Sequence, residues 1–226
     1  MENRLLSYFA APDLALLTAH FSELVLKQGA VLHEPETLIE TVYFPLSGAV
    51  SLLAVMKGGV AIEVANVGRE GAVGLSTHSG VWLARTRATV RVPGSAKAIP
   101  SQLLKTIIGQ NASIRERMVR YKQKLSAQTA QLAACNGLHS VEERLTRWLL
   151  QMLDRIDDIE LPVTQQTLSQ MLGVRRTTVT DAVHKLRRDG LIRYTRGNIV
   201  IVDPDGLHSL ACECYEVFRR VEAQFR

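Results

Sequence analysis

The fold of this 226-residue chain is decided near its C-terminus, where residues 161–192 read LPVTQQTLSQMLGVRRTTVTDAVHKLRRDGLI. Thr164 is a good N-terminal cap for a short helix. Apolar side chains then recur with helical spacing at Leu168, Met171 and Leu172. Gly173 permits a tight turn before a second helix begins. The stretch therefore predicts two helices joined by a short turn.

The second helix is predicted to have one apolar face and one polar face. Its apolar stripe consists of Val179, Val183 and Leu186. Its outer face carries Arg176, Thr177, Thr180, Asp181, His184 and Lys185. A helix-turn-helix that enters the major groove of DNA needs this division. The following hairpin, residues 192–199, predicts a wing on which Arg193 and Arg196 meet phosphates.

The distribution of charge agrees with this interpretation better than the total charge does. The chain has 27 Lys and Arg against 22 Asp and Glu, a net charge of +5. Residues 139–226 have 13 basic and 13 acidic side chains, yet residues 175–196 alone have seven basic and two acidic ones. The C-terminal part is therefore neutral with one basic face, whereas residues 1–138 account for the whole excess.

Short strands are predicted in the N-terminal part. Residues 41–52 read as strand, turn and strand, and further strands are expected at 61–66, 88–92 and 95–99, separated by Gly and Pro turns. This spacing is typical of a small β-roll. The length favours two domains. The expected fold class is α+β: an antiparallel, jelly-roll-like β-roll, a long dimerisation helix and a winged helix-turn-helix.

A long helix is predicted over the middle of the chain. A heptad pattern places two columns on one side, and five of their members are expected to face a second copy of the chain: Ile114, Met118, Tyr121, Leu125 and Leu132. The alternative is a helix packed on its own β-domain. Asn136-Gly137 is expected to break the helix, and Ser140 to cap the next one with Glu143. The expected domains are 1–110, 111–138 (helix and hinge) and 139–226.

This order of elements resembles the Crp/Fnr family of bacterial transcription regulators over nearly the whole chain. The motifs that carry the resemblance are Val67-Gly-Arg-Glu-Gly-Ala-Val-Gly-Leu75, Glu143-Arg-Leu-Thr-Arg-Trp-Leu-Leu150 and Leu172-Gly-Val-Arg-Arg-Thr-Thr-Val-Thr180. The resemblance implies a homodimer that reads a two-fold related DNA site and contacts RNA polymerase. We therefore expect a sequence-specific DNA-binding regulator, although a ligand-binding module that uses its helix-turn-helix for protein contact is an alternative.

The resemblance also assigns the DNA contacts. The family's three base-reading positions fall at Arg176, Thr177 and Asp181, and Thr180 joins them in tuning sequence choice. Well-known members have Arg, Glu and Arg at the three positions, so only Arg176 matches and a different operator is expected. The residues expected to hold phosphates are Thr164, Arg175, Lys185, Arg188, Arg193 and Arg196.

The family's nucleotide pocket is degenerate in this sequence. Members that bind a cyclic nucleotide hold the ribose with a Gly-Glu pair, but here Gly71 is followed by Ala72, and Glu70 is expected to point elsewhere. The phosphate arginine is either Arg85, followed by Thr86, or Arg87 in a competing register. Response to cyclic AMP is therefore not expected, while a cyclic-nucleotide, other small-ligand or redox-responsive regulator is the alternative.

Other chemistries find little support in the sequence. The three cysteines, Cys135, Cys212 and Cys214, cannot form a disulfide framework, and the last two are expected on different faces of one helix as packing residues. Haem ligation through His20, His33 or His78 stays open. No metal site, cofactor or catalytic motif is expected. Without a signal peptide or an 18-residue apolar run, the protein is expected in the cytoplasm, away from membranes.

Overall fold

The structure, a computed structural model, describes residues 2–76, 80–156, 158–195 and 197–225. The N-terminal part begins with a 3-10 turn and one helix and continues as β-strands. These elements are the turn Leu6–Tyr8, α1 (Ala11–Thr18), β1 (Ser22–Leu26), β2 (Val31–His33), β3 (Thr41–Pro45), β4 (Ala49–Val55), β5 (Ala61–Val67), β6 (Arg87–Val92) and β7 (Gly94–Pro100).

The strands form two antiparallel sheets that share a core. One sheet has the order β1-β7-β3 and the other β2-β6-β4-β5. Buried side chains from both sheets, including Leu26, Val50, Val90 and Ala96, lie in one apolar cluster. The predicted β-roll and fold class are confirmed. The predicted strand-turn-strand at 41–52 exists, but its strands belong to different sheets, because the chain crosses from one sheet to the other at Gly48.

The first two strands, β1 and β2, were not predicted from the sequence. Ser22, Glu23 and Val25 in β1 are exposed, so this edge strand lacks the alternation of apolar and polar residues on which strand prediction depends. β2 is only three residues long and is also an edge strand. Both strands are defined by pairing with β7 and β6, which are distant in sequence.

The C-terminal part is helical with a small three-stranded sheet. Its elements are α4 (Val141–Arg155), β8 (Glu160–Leu161), α5 (Gln165–Leu172), α6 (Arg176–Arg188), β9 (Ile192–Thr195), β10 (Asn198–Ile201), α7 (Pro204–Leu210) and α8 (Cys214–Gln224). The sheet has the order β8-β10-β9. The single helix predicted after Pro204 is two helices, so Cys212 lies in the connection and not on a helix with Cys214.

Two further helices, α2 (Ser101–Gln110) and α3 (Ala112–Leu138), join the two parts. The predicted break at Asn136-Gly137 is wrong, since α3 continues to Leu138 and Gly137 is helical. The space beside Gly137 is open, and the residue is exposed. The boundary is set instead by the next helix. There Ser140 Oγ accepts from the amide of Glu143 at 3.3 Å, and Glu143 accepts from the amide of Ser140 at 2.8 Å, which confirms the capping box.

The predicted pairing stripe of α3 faces the interior of its own chain. Ile114, Met118 and Tyr121 are buried in the core of the N-terminal part, and Leu132 is buried against Phe218 of α8. Leu125 is half-buried against the β-roll. The four buried side chains leave little surface for a second copy, whereas Leu125 keeps part of its surface. For the four buried residues the structure favours the alternative, a helix packed on its own domain.

The two parts meet along β5 and the loop that follows it, in contacts that we call the interdomain joint. Arg155 of α4 forms a buried ion pair with Glu70, with Nε and Oε1 3.1 Å apart. Trp148 Nε1 donates to Glu63 Oε1 at 3.1 Å. Gly173 lies so close to Ile62 that a Cβ at this glycine would meet the Ile62 side chain at 2.6 Å. In the described part of the chain, no helix is long and apolar enough to cross a membrane.

Candidate DNA-binding surface and effector pocket

Local contacts that were predicted from the sequence stabilise the helix-turn-helix. Thr164 Oγ1 accepts from the amide of Thr167 at 3.1 Å and so caps α5. Gly173 ends this helix in the left-handed conformation, with φ of +64°. The predicted inner stripes are buried: Leu168, Met171 and Leu172 on α5, and Val179, Val183 and Leu186 on α6. This packing fixes the orientation of the outer face of α6.

The first turns of α6 present most of the predicted base-reading residues to solvent. Arg176, Thr177 and Asp181 are exposed, and Arg175 stands exposed at the N-cap position. Thr180 differs from Arg176, Thr177 and Asp181 in its exposure. It is half-buried, and its hydroxyl is within hydrogen-bonding distance of Gln165 Oε1 and of the Arg176 carbonyl oxygen, at 2.9 Å each. Thr180 thereby links α6 to α5.

The residues predicted to hold phosphates differ in their exposure and in their contacts with other side chains. Lys185 pairs with Glu142 of α4 across 2.6 Å, whereas Arg188 is largely exposed beside Asp189. Arg193 is exposed on β9 of the wing. The start of the wing's second strand approaches the cap of α5, because a Cβ at Gly197 would lie 3.3 Å from Thr164. Arg196 lies outside the described residues.

A cavity of about 480 Å³ lies between the β-roll and α3. It brings together Ala72, Arg85 and Thr86 from the predicted effector site. Gly71 and Arg87 do not line it: Gly71 packs against Tyr121, and Arg87 pairs with Glu34 across 2.7 Å. Of the two competing registers, Arg85-Thr86 lies at the cavity and Arg87 lies outside its lining.

Glu70 points away from this cavity, as the sequence indicated. Besides Arg155, it accepts from the amide of Gly68 at 3.0 Å, and its own carbonyl accepts from Lys124 Nζ at 3.0 Å. Burial acts to raise the pKa of Glu70, but Arg155 and Lys124 outweigh it and hold the pKa below its ordinary value. The acid next to the Gly-rich turn therefore belongs to the interdomain joint.

Sequence reasoning did not assign two ionisable residues, His33 and Lys122, to this cavity. They come from β2 and α3, about 90 residues apart, so no local motif could have paired them. Burial lowers the pKa of both side chains. His33 Nδ1 is buried without a partner in the described part of the chain. Among the described residues that line the cavity, the charged ones are basic.

Of the other two histidines considered for haem, His20 is exposed just after α1 and does not line this cavity. His78 lies outside the described residues.

Comparison with known proteins identifies the C-terminal part. Residues 143–210 match the Crp-like helix-turn-helix domain family. The nitrogen fixation regulation protein FixK of Bradyrhizobium diazoefficiens is 30% identical over 82 residues, which cover 33% of this chain and 35% of FixK. The match thus spans about a third of that relative.

Solved structures resemble the whole architecture. FixK2 from Bradyrhizobium japonicum has a TM-score of 0.72 and 19% identity, covering 85% of this chain and 98% of that one. The c-di-GMP responsive global regulator CLP of Xanthomonas campestris has a TM-score of 0.68 and 18% identity, covering 85% and 99%. At these identities the likeness establishes the fold. Together with the helix-turn-helix match, it confirms the resemblance seen in the sequence, and FixK and CLP are named as regulators.

Proposed function

We propose that this chain, which carries a Crp-like helix-turn-helix domain on the fold of Crp/Fnr regulators, is a sequence-specific DNA-binding transcription regulator. The observation that carries the proposal is the exposed N-terminal half of α6, where Arg175, Arg176, Thr177 and Asp181 stand free of the core. The rigid packing of α5 beneath α6 suits a helix that must enter the major groove in a fixed orientation.

The side chains divide by what they contact. Arg176 reads a base, because a guanidinium forms two hydrogen bonds to a guanine edge, and Thr177, Thr180 and Asp181 tune the choice of sequence. The phosphates are held by Thr164, Arg175, Lys185, Arg188, Arg193 and Arg196. Such contacts fix the register of the protein on DNA without reading the sequence.

The regulator acts as a homodimer through α3. Since its inner stripe is buried, the pairing face is the opposite one, where Val119, Ala130 and Ala133 recur at helical spacing with partial or full exposure. Small side chains allow two helices to approach closely. Two recognition helices would then lie about 34 Å apart and read a two-fold related operator. The functional parts are residues 1–110, 111–138 and 139–226.

The cavity supports an effector other than cyclic AMP. Ala72 offers no carboxylate for a ribose, whereas Arg85, Lys122 and Thr86 offer cations and a hydroxyl to an anionic ligand. Calorimetry with cyclic AMP, cyclic GMP and c-di-GMP tests this directly. Micromolar affinity for cyclic AMP would overturn the interpretation of Ala72. A DNA-binding regulator of this type works in the bacterial cytoplasm and contacts RNA polymerase.

The DNA-binding proposal is tested by comparing two arginine variants on the chain's own operator, found by footprinting its upstream region, and on random DNA. Arg176→Ala should lower discrimination between the two DNAs by about 1–3 kcal/mol, while Arg193→Ala should weaken binding to both alike. Arg220→Ala, which removes an exposed arginine of α8, is the matched control. Equal losses on both DNAs in the Arg176 variant would refute base reading, and binding that ignores salt would favour a protein-contact module.

A further inference from the structure

Three thiols and one imidazole meet where α3 ends and the C-terminal helices begin. The ligand atoms of Cys135, His139, Cys212 and Cys214 all lie within 4.8 Å of one another. The sequence predicted otherwise, because it placed the last two cysteines on different faces of one helix. In fact α7 ends at Leu210 and α8 begins at Cys214, so Cys212 lies in the connection and both thiols can face Cys135.

The separations suit a single tetrahedral metal ion. Zinc–sulfur bonds of about 2.3 Å place two thiolate ligands about 3.8 Å apart, and a zinc–nitrogen bond of about 2.0 Å brings a histidine slightly nearer. Here the sulfurs of Cys135 and Cys212 are 3.6 Å apart, and Cys214 Sγ is 3.7 Å from His139 Nδ1. The other separations among the four ligand atoms are at most 4.8 Å, about 1 Å beyond this spacing, so small side-chain adjustments would bring all four atoms to one ion.

The surroundings of the histidine are those of a metal ligand. While Nδ1 of His139 faces the thiols, its Nε2 lies 3.1 Å from Glu213 Oε2. Metal-bound histidines commonly donate their other ring nitrogen to a carboxylate, which fixes the orientation of the ring. Gln131 Nε2 donates to Cys214 Sγ at 3.0 Å. The outer contacts thus orient two of the four groups.

Charge near the cluster agrees with a thiolate-rich site. Arg144 and Arg147 are buried on α4, and the Nε of each has no hydrogen-bond partner in the described part of the chain. Neither guanidinium forms an ion pair with a described carboxylate. A zinc ion with three thiolates and one neutral imidazole has a net charge of −1, which these buried cations would balance.

We propose that Cys135, His139, Cys212 and Cys214 bind one zinc ion in a closed, structural site. All four positions are filled by protein, so the ion supplies stability and not catalysis. It would fasten the C-terminal end of α3 to α8, beside the boundary between the long helix and the helix-turn-helix domain. Zinc binding therefore couples the position of that domain to the presence of the metal.

A disulfide is the competing use of the same cysteines. Cys135 and Cys212 are close enough for oxidation after a small shift. That chemistry, however, occupies two thiols and leaves the approach of Cys214 and the Glu213-oriented His139 without a role. The convergence of all four groups favours the metal.

The test uses the full chain, purified under reducing, anaerobic conditions, stripped with a chelator and titrated with Co²⁺ and then Zn²⁺. We expect one Co²⁺ per chain with the absorption of tetrahedral thiolate coordination, displaced by Zn²⁺. Cys214→Ser and His139→Asn should abolish that spectrum or weaken binding, whereas His208→Asn, which removes an exposed histidine, should behave as the native chain. Substoichiometric binding, or a spectrum without thiolate bands, would overturn the proposal.

A second variant keeps the test valid if a cysteine variant fails to fold. Glu213→Gln changes a largely exposed side chain and retains all four ligands, so folding should be preserved. Zinc affinity should fall about 10–100-fold, measured by competition with a chelator. Unchanged affinity would refute the orientation of His139 by Glu213, and unchanged Co²⁺ binding by His139→Asn would refute His139 as a ligand. A Cys135–Cys212 disulfide found by mass spectrometry, in a chain that binds no Co²⁺ after reduction, would replace the zinc site with a redox pair.

Discussion

The helix-turn-helix domain places its arginines in two different environments. Arg175, Arg176 and Arg188 are exposed on and beside α6, where the nearest described carboxylate to Arg188 is its own neighbour Asp189. The arginines of α4, Arg144, Arg147 and Arg155, are buried instead. We call these two sets the outer and the inner arginines. The domain is neutral in sum, so its function follows from the burial of each charge and not from their total.

The difference follows from the cost of removing a charge from water. A buried guanidinium must find partners, and Arg155 finds Glu70 and the carbonyl oxygen of Gln151, at 2.9 Å from its Nη1. An exposed guanidinium keeps its hydration and remains available to a phosphate or a base. Among the inner arginines, Arg155 therefore joins the two parts of the chain through Glu70, whereas the outer arginines remain available to a ligand.

The comparison predicts a large loss of stability when an inner arginine is removed. Arg155→Ala leaves Glu70 buried without its main cation, and breaking a buried pair in this way costs about 3–5 kcal/mol. Urea unfolding of the full chain measures the free energy directly. The same substitution at an outer arginine, Arg188→Ala, should change stability by less than about 0.5 kcal/mol. Equal effects of the two substitutions would contradict the division into inner and outer sets.

The ion pair between Glu70 and Arg155 should also affect how the stability of the chain depends on pH. The folded state holds the pKa of Glu70 below its ordinary value, so this carboxylate contributes stability at neutral pH that is lost as the pH falls through the lowered pKa. Glu70→Gln removes that contribution and should flatten the fall in stability below about pH 4. Thermal unfolding midpoints at pH 3–7 provide the comparison. A pH profile identical to that of the native chain would show that other groups govern acid unfolding.

A smaller loss of stability is predicted when the hydrogen bond between Trp148 and Glu63, which has an uncharged donor, is removed from the interdomain joint. Trp148→Phe removes the indole N–H that Glu63 accepts, while Ser51 Oγ and Asn66 Nδ2 continue to donate to this carboxylate. Removing one hydrogen bond to a buried charged group costs about 1–3 kcal/mol. Chemical unfolding followed by far-ultraviolet circular dichroism measures this change. A loss as large as that of Arg155→Ala would mean that packing of the indole outweighs its hydrogen bond.

The outer face was predictable from the sequence because its signals are local. The Thr164 cap, the Gly173 turn and the apolar stripe of α6 all lie within 32 consecutive residues. The inner face was not predictable in the same way. Arg155 and Glu70 are 85 residues apart, and no motif near either residue predicts that the two side chains form an ion pair. The buried stripe of α3 shows the same limit, since heptad spacing indicates that one side of a helix is covered but not by which chain.

The cluster of three cysteines and His139 was not predictable from the sequence either. Cys212 and Cys214 read as residues on one helix, and a helix would have turned them apart. The end of α7 at Leu210 changes the geometry, because it leaves Cys212 in the connection while Cys214 begins α8. A shift of one helix boundary by a few residues is thus enough to conceal a group of four potential ligands.

The smallest predicted effect lies where the two environments meet. Lys185 on α6 is half exposed, yet it pairs with Glu142 of α4 across 2.6 Å. Glu142→Gln releases the lysine, and because exposed pairs contribute little, stability should fall by only about 0.2–1 kcal/mol. The freed ammonium should strengthen binding to operator and random DNA alike, with a steeper dependence on salt, because phosphate contacts carry no sequence information. Binding isotherms at several salt concentrations measure this slope. A gain confined to the operator would instead assign Lys185 to base reading and move it, with Arg176, into the set that determines sequence.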